Sequence, residues 1–254
     1  MPVTGSNQIQ YNLSIRISAD GFSFFVTEAS SGDLLHREDY QAQGTESVGQ
    51  AFRQAIARPT ITHQDFSEVR VVVDSDATSV PLAVFRDDTV DSAYQQVFSR
   101  ADLLHNSVET TEITPLEVVE LYTIPAEVCR LTLEFFPQAT FCNVYAAVMQ
   151  YVANFSQQRM LTEQPLFAYV YEDQLFVYSI HAGKLMFANK FPLENGQNAL
   201  FFLLSVWKEL GLDVHESFCF VGGGDETTVS RLAGEVRKYI LHVELMDKVA
   251  HVHF

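Results

Sequence analysis

Three consecutive glycines, Gly222, Gly223 and Gly224, follow an apolar run of the chain. Glycine lets a backbone approach a ligand closely, and the helix expected behind this turn presents unpaired N–H groups that attract anions. Asp225 and Glu226 suit the N-cap and first turn of that helix, but their carboxylates would also repel an anionic ligand. A glycine-rich turn after a strand has structural explanations too, so anion binding and tight packing both stay open.

Two acidic turns are the other candidates for chemistry. Asp20 and Gly21 interrupt an apolar, aromatic segment. This pair predicts a two-residue hairpin turn of type I′. Such a turn needs positive φ at both positions, and Asp-Gly is one of the pairs that adopt it most readily. Asp173 stands in a second such turn, where its carboxylate can hold a hydrated Mg²⁺, an ion that needs one or two carboxylates. A plain hairpin turn and a solvated turn acid are the structural alternatives.

The histidines and cysteines form no convincing site. His251 and His253 are two residues apart, so on a strand their side chains would point to the same face. Two such ligands bind a transition metal only weakly, and we interpret this segment as a solvated tail. Cys129, Cys142 and Cys219 are scattered without a CxxC pair, which fits buried thiols in a reducing cytoplasm. The chain also lacks GxSxG, HExxH and Walker A motifs.

Composition bounds the class of protein. The 254 residues are 47% hydrophobic and 19% charged, as in a folded chain long enough for two cores. A net charge of −16 argues against nucleic-acid binding, which needs clustered Lys and Arg, and favours a basic partner. The N-terminus has no secretory signal pattern. The apolar stretch Ala199–Trp207 is too short for a transmembrane segment and predicts a buried helix.

The candidate turns stand at matching points of a plan that the chain uses twice. Each half is expected to form a hairpin, a third strand, a helix and a buried strand. These elements occupy 13–35, 46–57 and 69–76 in the first half, and 166–186, 197–210 and 217–225 in the second. The repeated order predicts two similar lobes, 1–160 and 161–254, with the polar segment 156–164 at their boundary.

Further elements complete each half. We expect helices at 89–98, 125–136, 145–155 and 227–239, and strands at 118–124, 140–144 and 241–246. The aromatic residues of the predicted strands and of the apolar helix, including Phe201 and Phe202, are assigned to the core.

This order of elements resembles that of the actin-like ATPase superfamily, which includes actin, the Hsp70 ATPase domain and sugar kinases. The stretch VVELYTIPAEVCRLTLEFFPQATFCNVYAAVMQYV, from Val118 to Val152, is most similar to actin-like pilus-assembly proteins of bacteria. The whole chain also resembles an uncharacterised bacterial family of this fold. The resemblance implies an α/β, ribonuclease H-like architecture of two lobes, each with a mixed sheet flanked by helices.

In that superfamily, ATP lies between the lobes, against two hairpins that carry Asp-x-Gly and a glycine-rich turn. The resemblance thus implies a nucleotide cleft lined by Asp20, Gly21, Asp173 and Gly222–Gly224. The chain departs from the pattern at both hairpins. Phe22 replaces a small residue in the first, and the second reads Glu172-Asp173-Gln174-Leu175 without glycine, so that Gln174 and Leu175 are expected to reach towards the phosphates.

Two functions from different classes follow as expectations. The first is a non-hydrolysing cytoplasmic scaffold that binds a protein partner. The second is an ATP-binding enzyme, either an ATPase or a small-molecule kinase, with Mg-ATP as cofactor and altered phosphate contacts. The departures from Asp-x-Gly at both hairpins favour the scaffold function. A third alternative, a cleft filled by side chains with function confined to the outer surface, also stays open.

Overall fold

The structure, a computed structural model, describes residues 10–18, 21–41, 48–58, 65–161, 163–194 and 198–246. These residues divide into two compact units. The first contains the described residues up to Glu112 together with Val118–Val144, and the second contains Ile113–Glu117 and the described residues from Tyr145 onward.

The described residues form thirteen strands and six α-helices. The strands are β1 (Tyr11–Ile17), β2 (Gly21–Glu28), β3 (Leu34–Gln41), β4 (Phe66–Val73), β5 (Ala77–Pro81), β6 (Asn106–Ile113), β7 (Val118–Pro125), β8 (Thr140–Asn143), β9 (Leu166–Tyr171), β10 (Gln174–His181), β11 (Lys184–Pro192), β12 (Phe218–Gly223) and β13 (His242–Leu245). The helices are α1 (Val48–Ile56), α2 (Val90–Gln95), α3 (Ala126–Phe135), α4 (Val144–Arg159), α5 (Ala199–Glu209) and α6 (Glu226–Val236).

The main sheet of the first unit has the strand order β3-β2-β1-β4-β8. β1 pairs antiparallel with β2 and parallel with β4. Because strand side chains alternate between faces, Leu13, Ile15 and Ile17 all enter one core. Phe52 of α1 and Val128 of α3 pack into the same core, so both helices cover this face of the sheet.

The second unit repeats this topology in the order β11-β10-β9-β12-β13. β9 pairs antiparallel with β10 and parallel with β12. Aliphatic side chains such as Ala168 face α5 and α6, whereas aromatic ones face α4. There Phe155 packs edge-on to Phe167 and Phe220, with ring centroids 6.3 and 5.3 Å away. The predicted fold class, with a mixed sheet and flanking helices in each half, is confirmed.

The first unit also contains a third sheet with the strand order β5-β7-β6. Its strands follow β4 and precede α3 in the sequence, and this sheet was not predicted. Its own small core contains Tyr94, Val119 and Leu121. The second unit has no such sheet at the equivalent place, since β12 is followed directly by α6 after Gly224 and Asp225. The inserted segment therefore distinguishes two otherwise similar topologies.

Several elements differ from the sequence-based expectations. α2 ends at Gln95 rather than 98, and α4 continues to Arg159 rather than 155. Phe201, predicted to be core, is 68% exposed on α5, whereas Phe202 is partly buried. No helix in the described ranges is long and apolar enough to cross a bilayer.

Candidate functional site

The second hairpin places Asp173 at an exposed turn between β9 and β10. Tyr171 pairs with Gln174, so Glu172 and Asp173 form the two-residue connection. Glu172 adopts a left-handed conformation with φ of 51°, where glycine would be less strained. The backbone N–H of Leu193 donates to the Asp173 carbonyl oxygen at 2.6 Å, which ties the turn to the end of β11.

Close packing accounts for two glycines of the glycine-rich turn. Gly223 pairs with Val170 of β9, and a Cβ at Gly223 would overlap the Val170 carbonyl oxygen. A Cβ at Gly222 would lie 2.8 Å from Cε of Met246, closer than ordinary van der Waals contact. Both glycines therefore have a structural reason that requires no ligand.

Gly224 is different, because a Cβ there would have nothing within 4 Å. Its N–H donates to the Val170 carbonyl oxygen at 3.2 Å, so the glycine turn lies beside the β9 end that leads into the Asp173 hairpin. The structure thus brings Asp173 and Gly222–Gly224 to the same end of one sheet. Gly224 is the member of the turn whose small size packing does not explain.

The N-terminus of α6 already has an anionic group. Asp225 is its N-cap, and the N–H of Thr228 donates to Asp225 Oδ2 at 2.8 Å. Hydrogen bonds from the Thr228 side chain and from its backbone N–H hold the pKa of the Asp225 carboxyl below its usual value. The predicted N-cap is confirmed, and its charge opposes a phosphate at this helix end.

A cavity of about 240 Å³ lies within the second unit, beside these turns. It is formed between the start of α5 and one face of α6, with Val170 at the end of β9 among its walls. It is lined by Val170, Leu193, Ala199, Leu200, Thr228, Arg231, Leu232 and Glu235. Sequence reasoning missed this cavity, although Thr228, Arg231, Leu232 and Glu235 have the spacing of one helix face.

The residues around Asp173 do not fit a bound Mg-triphosphate. Glu172 and Asp173 are two exposed carboxylates, and the turn has no glycine to let N–H groups reach phosphate oxygens. The prediction that Leu175 reaches towards the phosphates is wrong, however, because its side chain is fully buried in the core. The poor fit therefore comes from charge and the missing glycine.

The first hairpin is described in part. Asp20 lies outside the described residues, as do His251 and His253. Gly21 does not occupy the predicted turn but is the first residue of β2, paired with Gln41. A Cβ at Gly21 would overlap the Tyr40 carbonyl oxygen, so close packing of β3 explains this glycine.

Glu120 on β7 is a buried carboxyl that sequence reasoning also missed. It has no exposed surface, and Ser79 Oγ donates a hydrogen bond to its Oε1. Its Oε2 has no hydrogen-bond partner in the structure. Desolvation raises the pKa of Glu120 to about 7. The residue lies in the inserted sheet, on a strand that is buried along nearly its whole length.

Two sheets of identical strand order, each mixed and flanked by helices, define the actin-like ATPase fold. A protein of Bacteroides thetaiotaomicron VPI-5482, described as having this fold and unknown function, is 22% identical with a TM-score of 0.73, covering 95% of this chain and 94% of that one. The chain belongs to the family described as "Protein of unknown function (DUF3822)", which matches residues 3–243.

A solved PilM-PilN type IV pilus biogenesis complex shares the fold at 12% identity and a TM-score of 0.50, with 93% of this chain and 88% of that chain covered. No curated protein matches the chain. Among the described residues, no three His, Cys, Asp or Glu side chains are grouped to hold a metal ion.

Proposed function

We propose that the chain is a non-hydrolysing protein-interaction module of actin-like ATPase fold that acts in the cytoplasm. The observation that carries the proposal is the inserted sheet segment, residues 77–125, which has no counterpart in the second unit and exposes large apolar side chains.

The apolar surface of the inserted segment is concentrated in a short stretch. Val84, Val97 and Leu104 are 66%, 61% and 74% exposed, and Leu82 is 37% exposed. Single exposed apolar residues are ordinary, whereas a contiguous apolar patch marks a contact surface, and we propose that these four side chains form one. Asp87, Asp88 and Asp91 occur in the same stretch, so a partner with an apolar centre and a basic rim would be complementary.

The second hairpin supports the non-hydrolysing part of the proposal. Hydrolysis of a triphosphate needs a backbone that approaches the phosphates and a metal held against them. Here the turn contains no glycine, and Glu172 adds negative charge beside Asp173. The charge and the strained turn both disfavour a phosphate group.

Two further observations agree with the proposal. The PilM-PilN structure is a complex between two proteins, which offers an analogy for a partner-binding member of this fold. Cys129, Cys142 and Cys219 are all free thiols, as expected in a reducing compartment.

The proposal is tested with a photo-crosslinking amino acid placed at Val84, Val97 or Leu104 of the full chain in its native host. We expect the same discrete protein adduct from all three positions. Phe201 is the matched control, because it is equally exposed but lies in the second unit. Adducts that are absent, or as abundant from Phe201, would show that the inserted segment is not the contact surface.

An ATP-binding enzyme is the second candidate, favoured by the unexplained small size of Gly224. Such an enzyme would release phosphate from Mg-ATP or transfer it to a small molecule. The test is a phosphate-release and kinase assay on the wild-type chain and Asp173→Ala. Turnover that Asp173→Ala abolishes would establish this candidate, whereas no turnover above a protein-free blank would eliminate it.

A further inference from the structure

The cavity between α5 and α6 has a size that suits a small organic molecule. Its apolar walls come from Val170, Leu193, Ala199, Leu200 and Leu232, which are buried or half-buried. Since a cavity of about 150 Å³ holds benzene, one of 240 Å³ holds roughly ten non-hydrogen atoms. A nucleoside triphosphate has about three times as many, so the cavity does not enclose one.

One positive side chain, Arg231, lines this cavity. None of the hydrogen bonds or ion pairs among the described residues involves its guanidinium. Glu235 also lines the cavity, and its Oε1 forms an exposed ion pair with Lys238 Nζ at 2.7 Å. Asp225 interacts electrostatically with Arg231, while its carboxylate accepts the capping hydrogen bond of α6.

The start of α5 adds to the preference for negative charge. Ala199 and Leu200 belong to its first turn, which contains no acidic residue. The N-cap Asn198 does not cap the helix with its side chain, which instead bonds Glu194 and Pro192. The N–H groups of this turn thus favour an anion at the same cavity that Arg231 lines.

We propose that this cavity binds a small amphipathic carboxylate, with an aromatic or branched aliphatic body against the apolar walls and its carboxylate on Arg231. A guanidinium binds a carboxylate through two parallel hydrogen bonds, which fixes the orientation of the ligand. This inference concerns the second unit and does not depend on the protein contact proposed for the inserted sheet.

The test is calorimetric titration of the full chain with three compounds of one shape: hydrocinnamate, hydrocinnamyl alcohol and phenylpropylamine. We expect saturable binding of the carboxylate, weaker binding of the alcohol and none of the amine. Arg231→Gln should weaken hydrocinnamate binding about tenfold or more, because a charge-assisted hydrogen bond is lost. Arg237→Gln, at the C-cap of the same helix and outside the cavity lining, is the control and should leave binding unchanged.

A second variant, Ala199→Leu, fills the cavity and should abolish binding while an unchanged circular dichroism spectrum shows that the chain is folded. N-acetylphenylalanine distinguishes the source of the carboxylate: binding tighter than hydrocinnamate indicates the C-terminal residue of a peptide, and weaker binding indicates a free acid. The proposal is overturned if hydrocinnamate does not saturate, if the amine binds as tightly, or if Arg237→Gln weakens binding as much as Arg231→Gln.

Discussion

Glu120 shows how one buried residue can make the stability of this protein depend on pH. Its carboxyl is removed from water in the inserted sheet, and Ser79 supplies the single hydrogen bond found for it. The folded protein therefore keeps the proton of Glu120 up to about pH 7, whereas the unfolded chain loses it near 4.5. Between these values the folded state binds more protons, so its stability falls as pH rises.

Glu120→Gln should remove this dependence, because glutamine stays neutral and still accepts the Ser79 hydrogen bond. Relative to the variant, the wild type should lose up to about 1.4 kcal/mol of unfolding free energy per pH unit between pH 4.5 and 7. Denaturant unfolding across this range measures the difference. The exposed Glu117→Gln serves as control. Parallel wild-type and Glu120→Gln curves would contradict a raised pKa at this carboxyl.

Individual site residues were predictable from sequence where the local chain determines their role. Asp225 followed from its place before a helix, and the structure shows it capping Thr228. Arg231 was not predictable as a cavity residue, because its role depends on α5 packing beside α6. The core position predicted for Phe201 was wrong, since an apolar run does not show which face of a helix is covered.

At the scale of elements, the glycine turn after β12 is shaped mainly by its contact with β9. Gly223 must approach the backbone of Val170, and Gly222 must approach Met246, so these glycines are part of the sheet packing. Gly224 faces open space. The three neighbouring glycines therefore provide a direct comparison between packing and ligand approach.

Gly223→Ala should destabilise the protein by about 1–3 kcal/mol, because the new methyl group overlaps the Val170 carbonyl oxygen. Gly224→Ala should change stability by no more than about 0.5 kcal/mol, since its methyl group meets nothing. Urea denaturation of both variants measures the two free energies of unfolding. Equal losses for the two substitutions would contradict the packing explanation.

Strands with strong local signals were predicted and the inserted edge strands were not. β9 and β10 are rich in aromatic and β-branched residues on both sides of an acidic turn. β5 contains Ala, Thr and Ser and ends in Pro81, and β6 is polar along most of its length. Such strands form because β7 pairs with them, and a single sequence does not show that pairing.

At the scale of the whole molecule, the repeated element order was enough to predict the fold. The strand orders β3-β2-β1-β4-β8 and β11-β10-β9-β12-β13 follow the same pattern of directions. Descent of the two halves from one duplicated ancestor, and the lobe limits 1–160 and 161–254, remain proposals. Function was less predictable, because ligand chemistry depends on a few side chains that the fold does not specify.

Our central proposal is that the chain combines an actin-like ATPase fold with hairpins that do not hold a triphosphate. Calorimetric titration of the full chain with Mg-ATP tests it most directly, with a melting-temperature series as a second readout. We predict no saturable heat and no rise in melting temperature, since a bound ligand must stabilise the folded state. Saturable binding that raises the melting temperature and is lost in Asp173→Ala would contradict the claim.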